Sequence, residues 1–252
     1  MEKCFFILLL LFFGNSFAQE QIHIQYLNVR SQIANVYEDL YSDGKRVISK
    51  QDGNIMWTDS NRNTKNKKRQ DFYFMSNIDE TAKERNFFFT SFVKDNAEDY
   101  YLVYDKIPNI EWTIDEKTSK KILGYECLKA TAVFRGSPIT AYFTKDIPYS
   151  VGPFKFFGLP GAILDVRVDN KNYDLWKAIK IDRNDNTKVD YIPDFKTYSK
   201  AKMQDYVQLK DTTTKAYLSN SKVDGSTGKI IAVRMGVEKV FEWETQSSDS
   251  VK

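Results

Sequence analysis

The chain has 252 residues, of which 42% are hydrophobic and 15% aromatic, enough apolar side chains for a substantial core. Its formal net charge is only +3, too small to indicate a nucleic-acid-binding protein. His23 is the single histidine. That count excludes Ser-His-Asp and Cys-His relays drawn from the body of the chain, and zinc sites built from several imidazoles.

The N-terminus has the pattern of a signal peptide. Lys3 supplies a basic start, an apolar run follows from Cys4 to Phe13, and Ser16-Phe17-Ala18 offers small residues to a signal peptidase. We therefore predict that residues 1–18 are removed and that Gln19 begins the mature chain. The apolar run is too short for a permanent anchor, and no later stretch is apolar enough to cross a membrane.

Removal of the signal peptide leaves Cys127 as the one cysteine, which excludes an internal disulfide. Cys127 lies in an apolar run beside Leu128, which indicates a small buried residue. The alternative is a nucleophilic role, which needs an electropositive, partly open site and usually a histidine base.

Turn residues recur at short intervals, with β-branched and aromatic runs between them, a pattern typical of an antiparallel sheet. The predicted strands are, in chain order, 22–29, 37–41, 46–49, 55–58, 72–75, 86–93, 100–107, 121–134, 139–144, 162–168 and 173–181. The clearest alternation, in 162–168, places Asp165 on the wetter face. Within 121–134 the apolar side changes partway, so no register is assigned there. A hairpin is predicted at Arg135-Gly136-Ser137-Pro138.

One helix is predicted near residues 199–218, with Ser199 as its cap. Its stripe at i, i+3, i+4 and i+7 consists of Met203, Tyr206, Val207 and Lys210. Further strands are predicted at 229–233 and 237–243, and residues 246–252 are predicted to be disordered. The fold class is therefore mainly β: a single curved antiparallel sheet or half-barrel with one helix, in one domain over residues 19–245.

The segment from Ile147 to Asp165 gathers glycine, proline and large apolar residues. Pro160-Gly161 fits the central positions of a type II turn, and Gly158 is a further fixed point. Such a stiff segment either plugs the open end of a sheet or presents a docking patch. Its rigid backbone and concentrated apolar side chains favour the plug. The side chains predicted to line a functional surface are Trp112, Tyr142, Phe143, Phe154, Phe156, Phe157 and Leu159.

Several motifs resemble the GLPGLI family of exported bacterial envelope proteins. The family's signature stands here as Gly158-Leu159-Pro160-Gly161-Ala162-Ile163, with Ala162 at the second leucine. Further matches stand in the family's order: Trp112, the runs 121–130 and 141–144, Ile147-Pro148, and Gly152-Pro153 with Lys155-Phe156. Tyr142-Phe143 stands where the family tends to have Trp-Tyr. The resemblance implies a location in the envelope of a Gram-negative bacterium, in the periplasm or at the outer surface, and no established activity.

Three functions compete. The first is an exported binding or accessory protein that holds a lipid, a peptide or a segment of a partner protein on an aromatic-rich β surface. The second is a hydrolase that works through two carboxylates, drawn from Asp146, Asp165 and the nearby Glu126. The third is a structural subunit beside an outer-membrane transporter, paired through a sheet edge. No cofactor or nucleic-acid partner is implied.

Overall fold

The computed structural model describes residues 21–31, 34–53, 56–57, 70–93, 100–220, 234 and 236–244. The predicted signal peptide, the predicted strand 229–233 and the C-terminal residues 245–252 lie outside these ranges. Within 237–243, where a strand was predicted, the chain forms turns and one short helical turn instead. Glu238 and Glu242 of this segment form ion pairs with Arg135, and Glu238 also pairs with Lys155.

Within the described ranges, thirteen strands form one large sheet that is not closed into a barrel, as the fold class predicts. The strands are β1 (Ile22–Ser31), β2 (Ala34–Ser42), β3 (Arg46–Gln51), β4 (Met56–Trp57), β5 (Phe72–Asn77), β6 (Glu84–Phe92), β7 (Tyr100–Pro108), β8 (Thr113–Ile122), β9 (Tyr125–Phe134), β10 (Ser137–Thr144), β11 (Ala162–Val168), β12 (Leu175–Asp182) and β13 (Ser199–Lys202). Their order across the sheet is β13-β7-β6-β5-β3-β2-β1-β12-β11-β10-β9-β8, and β4 pairs with β2. All pairs are antiparallel except β13 with β7.

One face of this sheet, here called the inner face, carries the main core. Tyr26 on β1, Leu40 on β2 and Phe143 on β10 are all fully buried in one hydrophobic cluster. Alternate residues turn outward, so Asp39 and Tyr41 stand on the opposite, outer face of β2. The period-two pattern of the sequence therefore predicts which side chains meet at the core.

The helix α1 (Met203–Asn220) packs on the inner face at β5, β6 and β7. Its predicted stripe is confirmed for Met203, Tyr206 and Val207, which are each less than 8% exposed. The helix begins four residues later than predicted, because Ser199–Lys202 form β13 along the edge of β7 instead of an N-terminal cap. No helix in the described ranges has both the length and the apolar character needed to cross a membrane.

The predicted strand 121–134 is two strands in the structure. Leu123 and Gly124 have φ angles of 50° and 88° and form a tight turn between β8 and β9. The change of apolar side lies further along, within β9, where Cys127 and Ala130 are both buried and the pairing with β8 shifts register between Asp115 and Ser119. The hairpin predicted at residues 135–138 is confirmed, and its turn is Arg135-Gly136, with φ angles of 44° and 78°.

Both faces of β11 are largely buried, although the alternation of apolar and polar residues predicted one wetter face. Asp165 is only 2% exposed, although the sequence placed it on the wetter face. Strand β11 lies inside the sheet between β10 and β12, and long side chains cover its outer face. Lys120 reaches Asp165 with 2.7 Å between Nζ and Oδ2, and Arg167 reaches it at 3.1 Å.

Residues 145–161, here called the plug, connect β10 to β11 and cross the inner face. The sequence favoured a segment that closes the open end of a sheet, and in the structure its large apolar side chains pack into the main core. The predicted type II turn at Pro160-Gly161 is wrong. Gly161 N–H donates to the Leu159 carbonyl at 2.8 Å, which makes a three-residue turn centred on Pro160. Ala162 N–H bonds to Ile147 instead of closing a four-residue turn.

Gly161 admits no side chain. Its φ is 150°, and a Cβ atom there would lie 2.0 Å from the Thr144 carbonyl oxygen. We expect Gly161→Ala to lower the free energy of unfolding by more than about 3 kcal/mol, measured by urea denaturation. Gly124→Ala is the matched control, because Gly124 also has a positive φ but open space around its Cβ. That variant should lose only about 1–2 kcal/mol, and equal losses in the two variants would contradict the packing argument.

Candidate functional site

A buried carboxylate on β2 holds the plug against the inner face. Glu38 is 0% exposed, and its Oε1 accepts the backbone N–H of Phe154 at 2.6 Å and the Ser49 hydroxyl. Its Oε2 accepts the Gln51 amide at 2.8 Å and the indole N–H of Trp176 at 3.1 Å. Burial raises the pKa of Glu38, and these hydrogen bonds oppose that rise. Each oxygen therefore has two donors, and one of the four belongs to the backbone of the plug.

A second buried carboxylate, Asp105 on β7, anchors the next residue of the plug. Lys155 Nζ lies 2.8 Å from Asp105 Oδ2 and 2.9 Å from Glu238 Oε1. The Arg135 guanidinium forms a bidentate ion pair with the Asp105 carboxylate, with N–O distances of 2.8 and 2.9 Å. It also pairs with Glu238 and Glu242. The cations lower the pKa of Asp105 although burial alone would raise it. The cluster joins β7, the β9–β10 turn, the plug and the segment 236–244.

Beside the plug, a cleft of about 630 Å³ opens between the inner face and α1. Its buried floor and walls are mainly aromatic, and its rim carries charges of both signs. The aromatic lining consists of Phe72, Phe74, Phe89, Phe92, Phe154, Trp176, Tyr206 and Phe241. The charged lining consists of Arg30, Lys155, Asp174, Lys210, Asp211, Arg234 and Glu238. A volume of this size is within the ordinary range for pockets that hold small molecules or short peptide segments.

One polar side chain of the cleft has an unsatisfied buried atom. Asn28 on β1 is 2% exposed, and its Oδ1 has no hydrogen-bond partner. Across the strands it neighbours Val36 and Trp176, so it lies on the inner face. Five buried side-chain atoms in the described ranges are unpartnered, and Asn28 Oδ1 is the one in this cleft. The atom has almost no accessible surface, so a molecule in the cleft reaches it only if the Asn28 side chain rotates.

Most of the residues predicted to line a functional surface are in the core. Phe143, Phe156, Phe157 and Leu159 are at most 2% exposed and belong to the main hydrophobic cluster. Their predicted role in binding stays a prediction, and their position gives them a packing role. Phe156 meets Phe134 and Trp176 edge to face.

The other three predicted residues are partly exposed and lie apart. Phe154 lines the cleft, where it stacks on Trp176 with ring centroids 5.6 Å apart. Trp112 donates its indole N–H to the Phe157 carbonyl at 2.8 Å, close to Gly158. Tyr142 lies under Lys120, whose Nζ is 3.7 Å from the ring centroid. Of the seven residues, Phe154 is therefore the one that lines the cleft.

The three carboxylates of the predicted hydrolase alternative have different surroundings. Asp165 is buried and neutralised by Lys120 and Arg167, whereas Asp146 and Glu126 are exposed. None of these acids lines the cleft. Among the described residues, no group of three His, Cys, Asp or Glu side chains could hold a metal ion.

The buried polar residues that line or support the cleft were not predicted from the sequence, although each leaves a signal in it. Glu38 stands between Val36 and Leu40 at period two, and Asp105 stands between Val103 and Ile107 in the same way. Asn28 follows Ile24 and Tyr26 along one stripe. A polar residue within the apolar face of a strand indicates a buried partner or a ligand contact.

Comparisons with known proteins give a match to one family model but no activity. Residues 135–165 match the Porph_ging family, described as a protein of unknown function. The match runs from Arg135 through the plug to Asp165, a small part of the chain. No curated protein matches this chain.

Solved structures show only distant likeness. Two crystal forms of PNGF-II, P21 and C2, align at 16% identity with TM-scores of 0.47 and 0.48. The alignments cover 77% of this chain but 34% and 33% of theirs, so the chain spans about a third of those proteins. An uncharacterised conserved protein from Thermus thermophilus aligns at 11% identity and a TM-score of 0.37, over 73% of this chain and 91% of its own. Likeness at this level carries no argument about function.

The four donors around Glu38 predict the effect of replacing it with an amide. In either orientation, the amide NH₂ of Glu38→Gln would face a fixed donor, the Phe154 N–H or the Trp176 indole. We expect a loss of about 2 kcal/mol in the free energy of unfolding, measured by urea denaturation. Asp39→Asn, on the outer face of the same strand, is the control and should lose about 1 kcal/mol or less. Equal losses would contradict the donor argument.

The surroundings of Cys127 predict an unreactive thiol. The residue is 0% exposed, and burial raises the pKa of the thiol to about 11, so little thiolate exists at neutral pH. We expect iodoacetamide to label Cys127 only after unfolding in urea, as followed by mass spectrometry. Fast labelling of the native protein would instead indicate an open, activated cysteine.

Proposed function

We propose that this protein is an exported binding protein of the bacterial envelope, and that its ligand lies in the cleft between the inner face and α1. The cleft combines a largely apolar floor with a few polar groups, the composition typical of ligand sites. Its buried aromatic walls and charged rim suit an amphipathic ligand. The site thus differs from the surface predicted from sequence, but both contain Phe154.

The lining of the cleft is the observation that carries this proposal. Eight aromatic side chains surround a space of about 630 Å³, and charged side chains of both signs stand around them. Contact with aromatic and aliphatic surface supplies most of the binding free energy in sites of this kind, and a few polar groups fix the orientation of the ligand.

The wall of the cleft is held rigidly before any ligand arrives. Phe154 is fixed through its N–H by Glu38, and the neighbouring Lys155 is fixed by Asp105 and Glu238. Phe154 also meets Phe74 edge to face, with ring centroids 5.3 Å apart. A wall fixed in advance reduces the entropy lost on binding.

Export and an envelope location are part of the proposal. They are supported by the basic start, the apolar run and the small residues at Ser16 and Ala18. The resemblance of residues 158–163 to the GLPGLI signature agrees with a periplasmic or outer-surface location in a Gram-negative bacterium.

The structural-subunit alternative has less support. Strand β8 forms one edge of the sheet, and its pairing with β9 is interrupted by a bulge between Asp115 and Ser119. Its exposed side chains include Lys117 and Lys121. Bulges and lysines on an edge strand discourage pairing with another chain's strand.

A side chain placed at the mouth of the cleft tests the proposal. Gly236 lines the cleft, is exposed, and has nothing within 4 Å of an added Cβ. We expect the apolar dye 8-anilinonaphthalene-1-sulfonate to bind the native protein saturably, and Gly236→Phe to weaken this binding about tenfold, since about 1.4 kcal/mol of contact is lost.

Asn186→Phe is the matched control, because Asn186 is exposed and lies outside the cleft. Both variants should unfold at the same urea concentration as the parent protein. Equal dye dissociation constants for all three proteins would place the dye elsewhere and contradict the cleft as the binding site.

A further inference from the structure

We infer that the ligand of the cleft is an anionic amphiphile, whose carboxylate or phosphate group pairs with Arg30 while its apolar body lies on the aromatic floor of the cleft. This inference rests on the proposed function and specifies the chemistry of the ligand. It follows from which charged side chains of the cleft already have a counter-ion and which do not.

The three carboxylates that line the cleft are each paired with a cation of the chain. The ion pairs and their N–O distances are Asp174 with Lys171 at 2.7 Å, Asp211 with Arg234 at 2.6 Å, and Glu238 with Lys155 at 2.9 Å. A ligand with a positive group would have to compete with a cation that the chain already supplies. The carboxylates of the cleft therefore give little reason for a cationic ligand to bind.

Two of the four cations that line the cleft have no such partner. Lys155 and Arg234 are paired, whereas no carboxylate of the described residues lies within ion-pair distance of Arg30 or Lys210. The side chains of Arg30 and Lys210 are also exposed, so a molecule in the cleft can reach them without rearrangement of the chain. The charge that the cleft leaves available to a ligand is therefore positive.

The surroundings of Arg30 favour a direct contact with an anion. Loss of hydration lowers the pKa of its guanidinium, and the negative charges of Glu38 and Asp174 only partly oppose that effect. Both acids are bonded elsewhere, Glu38 to four donors of the chain and Asp174 to Lys171. The N–H groups of Arg30 thus have a use for an added acceptor, and the oxygens of a carboxylate or a phosphate match their fork geometry.

The strand order places both available cations at one end of the cleft. Strands β1 and β6 run in the same direction in the antiparallel order β6-β5-β3-β2-β1, so Arg30 near the end of β1 and Phe92 at the end of β6 lie at the same end of the sheet. The Tyr206 hydroxyl of α1 lies 3.4 Å from the Phe92 carbonyl oxygen, and Lys210 Nζ lies 5.5 Å from the centroid of the Tyr206 ring. Arg30 therefore lines this end from the sheet, and Lys210 lines it from the helix.

The floor of the cleft supplies the contact for an apolar body. Phe74 and Phe89 are less than 9% exposed, and their rings stack with centroids 5.7 Å apart. A neutral ligand would gain this apolar contact but would displace water from Arg30 without offering a charged acceptor, which is unfavourable. A ligand that joins an apolar body to one anionic group satisfies both the floor and the guanidinium.

Two dyes that differ in one charged group test the inference. The dye 8-anilinonaphthalene-1-sulfonate carries a sulfonate, and N-phenyl-1-naphthylamine is the same ring system without it. We expect Arg30→Gln to raise the dissociation constant of the sulfonate dye about tenfold and to leave that of the neutral dye unchanged, as measured by fluorescence titration. Lys210→Gln should weaken the sulfonate dye by a smaller factor, about threefold, because its ammonium is flexible and well hydrated.

Lys177→Gln is the matched control. Lys177 is an exposed cation on the outer face of β12 and outside the cleft, so its loss should leave the affinities for both dyes unchanged. Arg30→Lys keeps the charge and should restore most of the affinity for the sulfonate dye. Unchanged binding of the neutral dye shows that the cleft is intact in each variant. Equal weakening of both dyes in Arg30→Gln would mean that Arg30 shapes the cleft instead of binding an anion, and would contradict the inference.

A set of dodecyl compounds identifies the anionic group. Dodecanoate, dodecyl phosphate, dodecanol and dodecyltrimethylammonium are each added below the critical micelle concentration to displace N-phenyl-1-naphthylamine. We expect the two anions to act at about tenfold lower concentrations than the alcohol and the cation, and to lose this advantage in Arg30→Gln. Stronger displacement by dodecanoate indicates a carboxylate ligand, and stronger displacement by dodecyl phosphate indicates a phosphate. Either result supports the inference.

Two further outcomes overturn the anion while leaving the cleft in place. One is that both dyes respond to Gly236→Phe but the sulfonate dye binds Arg30→Gln as tightly as it binds the parent protein. The other is that dodecanol or dodecyltrimethylammonium displaces the neutral dye as well as the two anions do. Failure of the sulfonate dye to respond to Gly236→Phe would instead overturn the proposed function itself.

Discussion

The polar anchoring of the plug is the constraint on which the rest of the structure depends. Residues 145–161 cross the inner face, where water is excluded, so their peptide groups need partners from the sheet. Glu38 accepts the N–H of Phe154, and Asp105 accepts the ammonium of Lys155. A buried charge left without its partner is strongly unfavourable, so the two carboxylates allow one register of the plug and penalise its neighbours.

The same anchoring connects distant parts of the chain. Arg135 in the β9–β10 turn and Lys155 in the plug share both Asp105 and Glu238. A change at one member therefore alters the electrostatic balance of the others, and the effects of substitutions here should not be additive. Glu238 also lines the cleft, so the charge cluster that orders the core shapes the cleft as well.

The fold was predictable from sequence where local pattern decides it, and the site was less so. Period-two alternation placed most strands and the faces of their side chains, and the stripe at Tyr206 placed the helix. Errors arose where partners distant in sequence decide the outcome: Ser199–Lys202 became a strand because β7 had a free edge, and Asp165 became buried because Lys120 covers it. Aromatic residues in the plug indicated a surface, but a segment that crosses an inner face buries most of its rings, and only Phe154 reaches the cleft.

Polar residues inside apolar stripes shape the cleft, and they differ in how far the chain satisfies them. Glu38 has four donors from the chain, so its burial is explained by folding alone. Asn28 Oδ1 has no donor, and in the same cleft Phe154 holds a φ of 55°, a backbone conformation that is unfavourable for a bulky residue. Strain and unsatisfied groups persist where surrounding contacts enforce them. Here both lie in the walls of one cleft, and the hydrogen bond from Phe154 N–H to Glu38 is one of the contacts that enforce the strained conformation.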